Sequence, residues 1–177
     1  MRIVAFLRAI NVGGRNVKME ALRGEFTDLG LKDVETFIAS GNVIFKAPAR
    51  GVATLPSKIE KHLAKAFGYE VATFLRTEQE VAAIARYQAF SPARLKAAKA
   101  HCVGFLAEPL DAAGIQALAS LTSDADDFHL HGKEVYWLCK TMQSDSKFNN
   151  ALFERTVRAK ATFRSLTTIT KLAALLS

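Results

Sequence analysis

The feature of this sequence that most constrains its fold is an order of predicted elements that occurs twice. In the first half, residues 2–9, 18–29, 34–39, 43–46, 54–67 and 70–76 form the order strand, helix, strand, strand, helix, strand. Short β-rich apolar runs predict the strands, and apolar residues at helical spacing predict the helices. This βαββαβ order is typical of a ferredoxin-like half.

The ends of the first-half helices are predicted by their glycines and capping residues. Their apolar stripes are Met19, Leu22, Phe26 and Leu29 in the first helix, and Leu55, Ile59 and Leu63 in the second. Gly30 and Gly68 predict left-handed stops, and Thr54 predicts the cap of the second helix. Residues 40–42 (Ser-Gly-Asn) predict a hairpin turn between the middle strands.

The same order returns after a connecting helix. Thr77 and Glu80 have the spacing of a capping box, which predicts a helix to about Tyr87, and Pro92 is expected to break the chain's regular structure beyond it. Strands are predicted at 101–107, 127–131, 134–139 and 162–166, with a hairpin across Gly132-Lys133. Apolar spacing predicts three helices, marked by Ile115, Leu118 and Leu121; by Phe148, Leu152, Phe153 and Val157; and by Ile169, Leu172 and Leu175.

These patterns predict an α+β fold of two ferredoxin-like βαββαβ halves packed as one compact body. The predicted segments are residues 1–76, a connecting helix and linker at 77–100, and a second half with a C-terminal helix at 101–177. Half of the 177 residues are hydrophobic, enough for a packed core. Halves of this size bury too little apolar surface alone, so we expect them to pack together.

A glycine-rich loop follows the first strand, in the stretch RAINVGGRN. A sheet with strand order 4-1-3-2 would bring this loop to the turn at residues 40–42, where exposed backbone N–H groups and a helix N-terminus suit an anion. The candidate ligand-binding residues are Arg8, Asn11, Gly13, Gly14, Arg15, Asn16, Lys18, Ser40, Gly41 and Asn42. The loop matches neither a dinucleotide-binding nor a Walker-type motif.

Three hypotheses remain open for these loops. The net charge of +7 favours an anionic partner, with nucleic acid first and a phosphorylated small molecule second. An enzyme acting at the same loops would need a general base, for which Glu20 and Glu35 are the candidates. The third hypothesis gives both loops a purely structural role, with the glycines adopting the positive φ of a tight turn.

Other clusters predict structure more than chemistry. His129 and His131 share a strand face, yet no third ligand is near in sequence, so we expect a hydrogen-bonded or exposed pair and no metal site. Cys102 and Cys139 are expected to be buried core thiols, and Asp124, Asp126 and Asp127 a solvated loop. No cofactor motif is present. We expect core roles for Phe37, Phe45 and Phe74, a cytoplasmic location without membrane association, and a monomer.

The sequence resembles the DUF1697 family of bacterial proteins. The stretches that carry the likeness are FLRAINVGGRNVKMEALR and GLKDVETFIASGNVIF, together with the later order of elements. The resemblance implies two ferredoxin-like halves and no assigned activity. The family tends to end in a TxRNWNT-like stretch and a Lys-Leu helix. Thr162, Arg164, Thr168, Lys171 and Leu172 fit that pattern, whereas Ser165, Leu166 and Thr167 depart from it, so Arg164, Thr168 and Lys171 are candidates for a secondary site.

Overall fold

The computed structural model describes residues 1–11 and 13–177, which form two compact units. The first unit comprises Met1–Ala82 and Leu172–Ser177, and the second comprises Ala83–Lys171. These limits differ from the predicted segment ends at residues 76 and 101, and those segments, like the packing of the halves into one body, stay a prediction. Within the described residues, no helix is long and apolar enough to cross a membrane.

The first unit has the predicted βαββαβ order. Its elements are β1 (Arg2–Leu7), α1 (Met19–Asp28), β2 (Lys32–Thr36), β3 (Asn42–Lys46), α2 (Leu55–Phe67) and β4 (Thr73–Thr77). The antiparallel strands lie in the order β2-β3-β1-β4, which confirms the predicted order. The helix α3 (Glu78–Arg86) comes next, and the predicted capping box is formed: Thr77 N donates to Glu80 Oε2 at 2.7 Å, and Glu80 N donates to Thr77 Oγ1 at 3.2 Å.

The core of the first unit lies between its sheet and the helices α1 and α2. Strand side chains alternate between faces, and one set of them joins the apolar stripes of the two helices. The principal members are Ile3, Ala5, Leu7, Val43 and Phe45 from the strands, and Leu22, Phe26, Ile59 and Leu63 from the helices. The predicted apolar stripes are therefore confirmed at their central positions.

The second unit repeats this architecture. Its elements are α4 (Pro92–Ala97), β5 (Ala100–Leu106), α5 (Ala112–Ala119), β6 (Asp126–His131), β7 (Glu134–Cys139), α6 (Asn150–Val157) and β8 (Ala161–Ser165), followed by α7 (Leu166–Leu176), whose residues from Leu172 onward belong to the first unit. The strand order β6-β7-β5-β8 matches that of the first unit. The core of this unit is aromatic, with Trp137, Phe148, Phe153 and Phe163 in mutual ring contact. Two ferredoxin-like halves are thus confirmed.

The prediction of a solvated loop at residues 124–127 is wrong at Asp126. This residue is only 5% exposed, and its carboxylate accepts hydrogen bonds from Trp137 Nε1 at 2.8 Å and from Ser146 Oγ at 2.9 and 2.8 Å. The buried indole N–H needs an acceptor, and Asp126 provides it. Asp127 forms an ion pair with Arg94.

Some predicted helix boundaries and buried positions are also wrong. Thr54 is the last residue of a 3-10 turn (Val52–Thr54) and its hydroxyl donates to Gly51 O, so its side chain does not cap α2. Pro92 begins α4 instead of breaking the structure, because the first helical position needs no N–H and Ser91 caps it. Ile115 and Leu175 are 49% and 47% exposed; in α7 the neighbouring Leu176 is buried instead.

The histidine and cysteine predictions agree with the structure. Tyr87 Oη lies 2.8 Å from His129 Nε2, and the Tyr87 ring stacks on His131 with 4.0 Å between centroids. Cys102 and Cys139 are buried and free, and burial raises the pKa of the Cys102 thiol to about 11. The rings of Phe45 and Phe74 are buried as expected.

Candidate functional site

The loop between β1 and α1 has an unusual backbone. Gly13 and Gly14 have φ of +61° and +82°, and Ala9 and Asn11 have φ of 59° and 58°. A side chain at either glycine would meet nothing within 4 Å, so packing does not require glycine there. The left-handed backbone requires it, because a Cβ is disfavoured at positive φ. Val12, within the predicted loop, lies outside the described residues.

The structure brings this loop and the turn at residues 40–42 together. Asn11 Nδ2 donates to Ala39 O at 3.2 Å, and Asn11 Oδ1 accepts from Val17 N at 2.6 Å. Leu7 N donates to Gly41 O at 2.8 Å. The Nδ2 end of the Asn11 amide therefore joins the two loops, and its Oδ1 end holds the first loop together by accepting from Val17 N.

The turn itself is tightly packed. Gly41 has φ +77°, and a Cβ there would lie 3.2 Å from the Cβ atoms of Leu7 and Ile10. Asn42 is fully buried, and its Nδ2 donates to Phe37 O at 3.0 Å and to Ser40 Oγ at 2.9 Å. Asn42 thus holds the turn from within.

The basic side chains lie at the edge of this assembly. Arg15, Asn16 and Lys18 are exposed, and Arg8 is half-buried, with its backbone N–H donating to Ala72 O. The Arg15 guanidinium lies over the Tyr69 ring, 4.1 Å from its centroid. This cation–π contact restricts the long side chain of Arg15. We call the ten predicted residues of this region the rim: Arg8, Asn11, Gly13, Gly14, Arg15, Asn16, Lys18, Ser40, Gly41 and Asn42.

Tyr69 is the residue that sequence reasoning missed. Its hydroxyl oxygen is buried and has no hydrogen-bond partner among the described residues. Its ring also stacks on Phe67 at 6.2 Å. Its position after Gly68, the left-handed end of α2, is visible in the sequence, but its contact with Arg15 is not.

Lys18 occupies the N-cap position of α1 without capping it. Its backbone is extended (φ −65°, ψ 137°), and Lys18 O accepts the first helical bond from Leu22 N. The Lys18 side chain makes no capping hydrogen bond. The first N–H groups of an α-helix have no partner within the helix, so an end without a cap from its N-cap residue suits an anion, which the helix dipole favours.

The two candidate general bases lie at different places relative to the rim. Glu20 is exposed in the first turn of α1, two residues after Lys18. Glu35 is exposed on β2 and lines a cavity of about 340 Å³ with Arg2, Asp33 and Lys46. Neither residue belongs to the rim.

The three secondary candidates do not form one site. Arg164 donates to Thr162 Oγ1 at 2.8 Å and to Phe163 O at 2.9 Å, and desolvation lowers its pKa to about 10. Thr168 bonds to Ser165 at the start of α7. Lys171 alone of the three lines a cleft of about 660 Å³, which also holds Lys99 and His101.

The sequence features that carry this site have a counterpart in a known protein family. The family model described as "Protein of unknown function (DUF1697)" matches residues 1–136, which include the whole rim. The chain belongs to the DUF1697 family. This DUF1697 protein is also similar to a solved structure, "The structure of conserved bacterial protein SP0830 from Streptococcus pneumoniae".

The likeness between this DUF1697 protein and the solved structure extends over both chains. The sequences are 28% identical, the alignment covers 99% of this chain and 98% of the other, and the TM-score is 0.76. No protein of curated function is significantly similar to the chain. The family thus fixes the fold of this DUF1697 protein, and its description assigns no activity.

Proposed function

We propose that the rim binds an anionic ligand and performs no chemistry on it. The observation that carries this proposal is the open end of α1. In the second unit the equivalent connection, from β5 to α5, spans only residues 107–111 and ends in Asp111, whose carboxylate accepts from Gly114 N at 2.7 Å. In the first unit, residues 8–18 make the connection, and the capping position holds a lysine.

The charge of the loop fits the same ligand class. Residues 8–18 contain Arg8, Arg15 and Lys18 and no acidic residue. Cations at a helix N-terminus oppose the helix dipole; the Glu20 carboxylate in the first turn offsets part of this cost, and an anion bound beside the cations would offset more of it. An anion there would accept from backbone N–H groups and pair with the side chains.

The rim residues divide into two roles. Gly13 and Gly14 present backbone N–H groups, and Arg15, Asn16, Lys18 and Ser40 supply side-chain contacts. Asn11, Gly41 and Asn42 position the loops, since the hydrogen bonds and close contacts described above join them to other parts of the fold. Arg8 adds charge from its half-buried position.

We infer that nucleic acid is the first candidate ligand and a phosphorylated small molecule the second. Three cations at one edge suit successive phosphates, and the net charge of +7 adds long-range attraction. An enzyme is the less supported alternative, because the rim contains no carboxylate or imidazole to act as a base. We propose a cytoplasmic location, which fits the two free cysteines.

The test is binding of single-stranded RNA and DNA oligonucleotides, followed by fluorescence anisotropy, beside a thermal-shift screen of nucleotides and sugar phosphates. Wild type is compared with Arg15→Ala/Lys18→Ala. The matched control, Lys96→Ala/Arg155→Ala, removes the same charge from exposed positions of the second unit. Three phosphate contacts predict a roughly 20-fold loss of oligonucleotide affinity between about 50 and about 200 mM salt.

Each outcome decides between the hypotheses. Binding that is lost in the rim variant and kept in the control supports the proposal. A shallow salt dependence with a bound nucleotide or sugar phosphate assigns the rim to the small ligand. Equal loss of binding in both variants, or no binding by wild type, contradicts the proposed binding site at the rim. The loops would then have a structural role.

A further inference from the structure

A second cluster of ligating side chains lies between α1 and α2 and shares no residue with the rim. Glu25 and Asp28 are three residues apart on α1, so they lie on one face of the helix, and His62 faces them from α2. One ligand atom from each residue lies within 4.8 Å of the other two. The grouping depends on the packing of the two helices, and no sequence motif indicates it.

The Glu25 and His62 side chains are in close contact but do not form a well-aligned hydrogen bond. Their Oε2 and Nε2 atoms are 2.7 Å apart. Yet Nε2 is buried and has no well-aligned hydrogen-bond partner among the described residues. A carboxylate oxygen and an imidazole nitrogen at this distance need a proton or a metal ion between them, and a ring N–H that is not aligned with the oxygen supplies the proton poorly.

A metal ion would satisfy both atoms with little movement. At metal–ligand distances of about 2.1 Å, adjacent ligands of a six-coordinate ion are about 3.0 Å apart and those of a tetrahedral ion about 3.4 Å. The observed 2.7 Å is within a few tenths of an ångström of the first value. His62 and Glu25 are mostly buried, with side chains 29% and 26% exposed, so their geometry is restricted by packing.

We propose that Glu25, Asp28 and His62 bind one divalent transition-metal ion of the zinc, manganese or iron class. An imidazole nitrogen with two carboxylates suits these ions, whereas calcium and magnesium prefer oxygen ligands alone. Asp28 is exposed, so the remaining coordination positions face water. The ion joins α1 to α2 and thereby stabilises the unit that carries the rim.

The experiment titrates the full chain with ZnCl₂, MnCl₂ and CoCl₂, and with MgCl₂ and CaCl₂ for comparison, using calorimetry for affinity and the visible spectrum of Co²⁺ for its ligands. We expect one ion per chain and a rise in the thermal midpoint. His62→Gln and Asp28→Asn should each weaken binding at least about tenfold. Because Asp28 is exposed, its amide variant tests the site even if His62→Gln were to unfold. His131→Gln, which alters an exposed histidine of the second unit, should bind as wild type.

Three outcomes would overturn the proposal. The first is no binding of any of the three ions by wild type. The second is binding that survives both cluster variants or is lost in His131→Gln, which moves the ion to another histidine. The third is affinity for Mg²⁺ or Ca²⁺ equal to that for the transition ions, which contradicts a nitrogen ligand. None of these results depends on oligonucleotide binding, so the two proposals fail independently.

Discussion

The two units share a strand order but connect their first strand to their first helix differently. The second unit uses residues 107–111 and an Asp111 carboxylate as the cap. The first uses residues 8–18, four described positions of which have positive φ, and leaves its helix uncapped. The fold therefore needs no more than a short capped connection. The longer and basic version in the first unit, with its positive φ angles, is less stable than a short capped connection, and the proposed anionic ligand would offset that cost.

The cores differ as well. Ala5 of β1 and Gly104 of β5 occupy matching places, since each lies between its two neighbouring strands at the same register: Ala5 between Val43 and Leu75, Gly104 between Val135 and Phe163. In the first unit the residue at the place of Phe163 is Leu75, which leaves room for the methyl group of Ala5. In the second unit a Cβ on Gly104 would lie 2.6 Å from the Phe163 ring. Aromatic packing thus dictates a glycine in the middle of a strand.

The largest expected effect is that of Asp126→Ala. Removing this carboxylate leaves Trp137 Nε1 and Ser146 Oγ without their acceptor, and each unsatisfied buried group costs about 1–3 kcal/mol. The free energy of unfolding should fall accordingly, measured by urea unfolding and the fluorescence of Trp137, the chain's single tryptophan.

The first unit supplies the contrast for this prediction. Asp33 pairs with Lys46 at 2.7 Å, but both side chains are more than half exposed. Asp33→Asn should therefore leave the unfolding midpoint unchanged, because exposed pairs contribute little. The unfolding midpoint of Asp126→Asn, which keeps one acceptor oxygen, should lie between those of Asp126→Ala and Asp33→Asn. If Asp126→Ala unfolded at the same midpoint urea concentration as wild type, the hydrogen bonds described for the Asp126 carboxylate would be contradicted.

Gly104→Ala should have the next largest effect. The added methyl group must displace the Phe163 ring, and overpacking of this kind costs about 1–3 kcal/mol. Looser packing of the second unit would also expose Cys102 and Cys139, both of which lie in it, so thiol alkylation should be faster than in wild type. The raised pKa of Cys102 keeps its thiol protonated at neutral pH, which makes the wild-type rate slow.

A second substitution tests whether the Phe163 ring is the reason for glycine at position 104, where the first unit has Ala5. Gly104→Ala combined with Phe163→Leu recreates the alanine and leucine pair of Ala5 and Leu75. The double variant should lose less stability than the sum of the two single variants. Strict additivity would show that the methyl group and the ring do not meet.

The fold could be predicted from the sequence wherever the determinants are local. Turn glycines, the capping box at Thr77 and Glu80, and the alternation of strand residues all depend on neighbours along the chain. The errors arise where tertiary contacts decide. Asp126 is buried because Trp137 needs an acceptor. Leu176 is buried in place of Leu175 because a helical period of 3.6 residues returns to the face of Ile169 at the seventh residue.

The candidate site shows the same limit. The meeting of the two loops follows from strand order, which the repeated pattern predicts. The use of the Asn11 and Asn42 amides within the fold does not follow, because nothing in the local sequence fixes where an amide points. Tyr69 beneath Arg15, and His62 facing Glu25, join residues more than 35 positions apart, so only the packed structure places them together.

The smallest expected change in stability, Lys18→Asp, tests the comparison most directly. It gives α1 the carboxylate that Asp111 gives α5, at a residue whose backbone is already extended. A capping acid stabilises a helix by about 1 kcal/mol, so hydrogen exchange of the α1 amides should slow. The same carboxylate would occupy the open N–H groups and repel an anion, so oligonucleotide binding should be lost.

Lys18→Ala separates charge from capping in this experiment. It removes the cation without supplying an acceptor, so it should weaken binding while leaving the exchange of α1 amides unchanged. Greater stability of Lys18→Asp together with lost binding would mean that the first unit keeps an uncapped helix for its ligand. If Lys18→Asp bound oligonucleotides as wild type does, the open N-terminus would have no part in binding, and the difference between the two connections would need another cause.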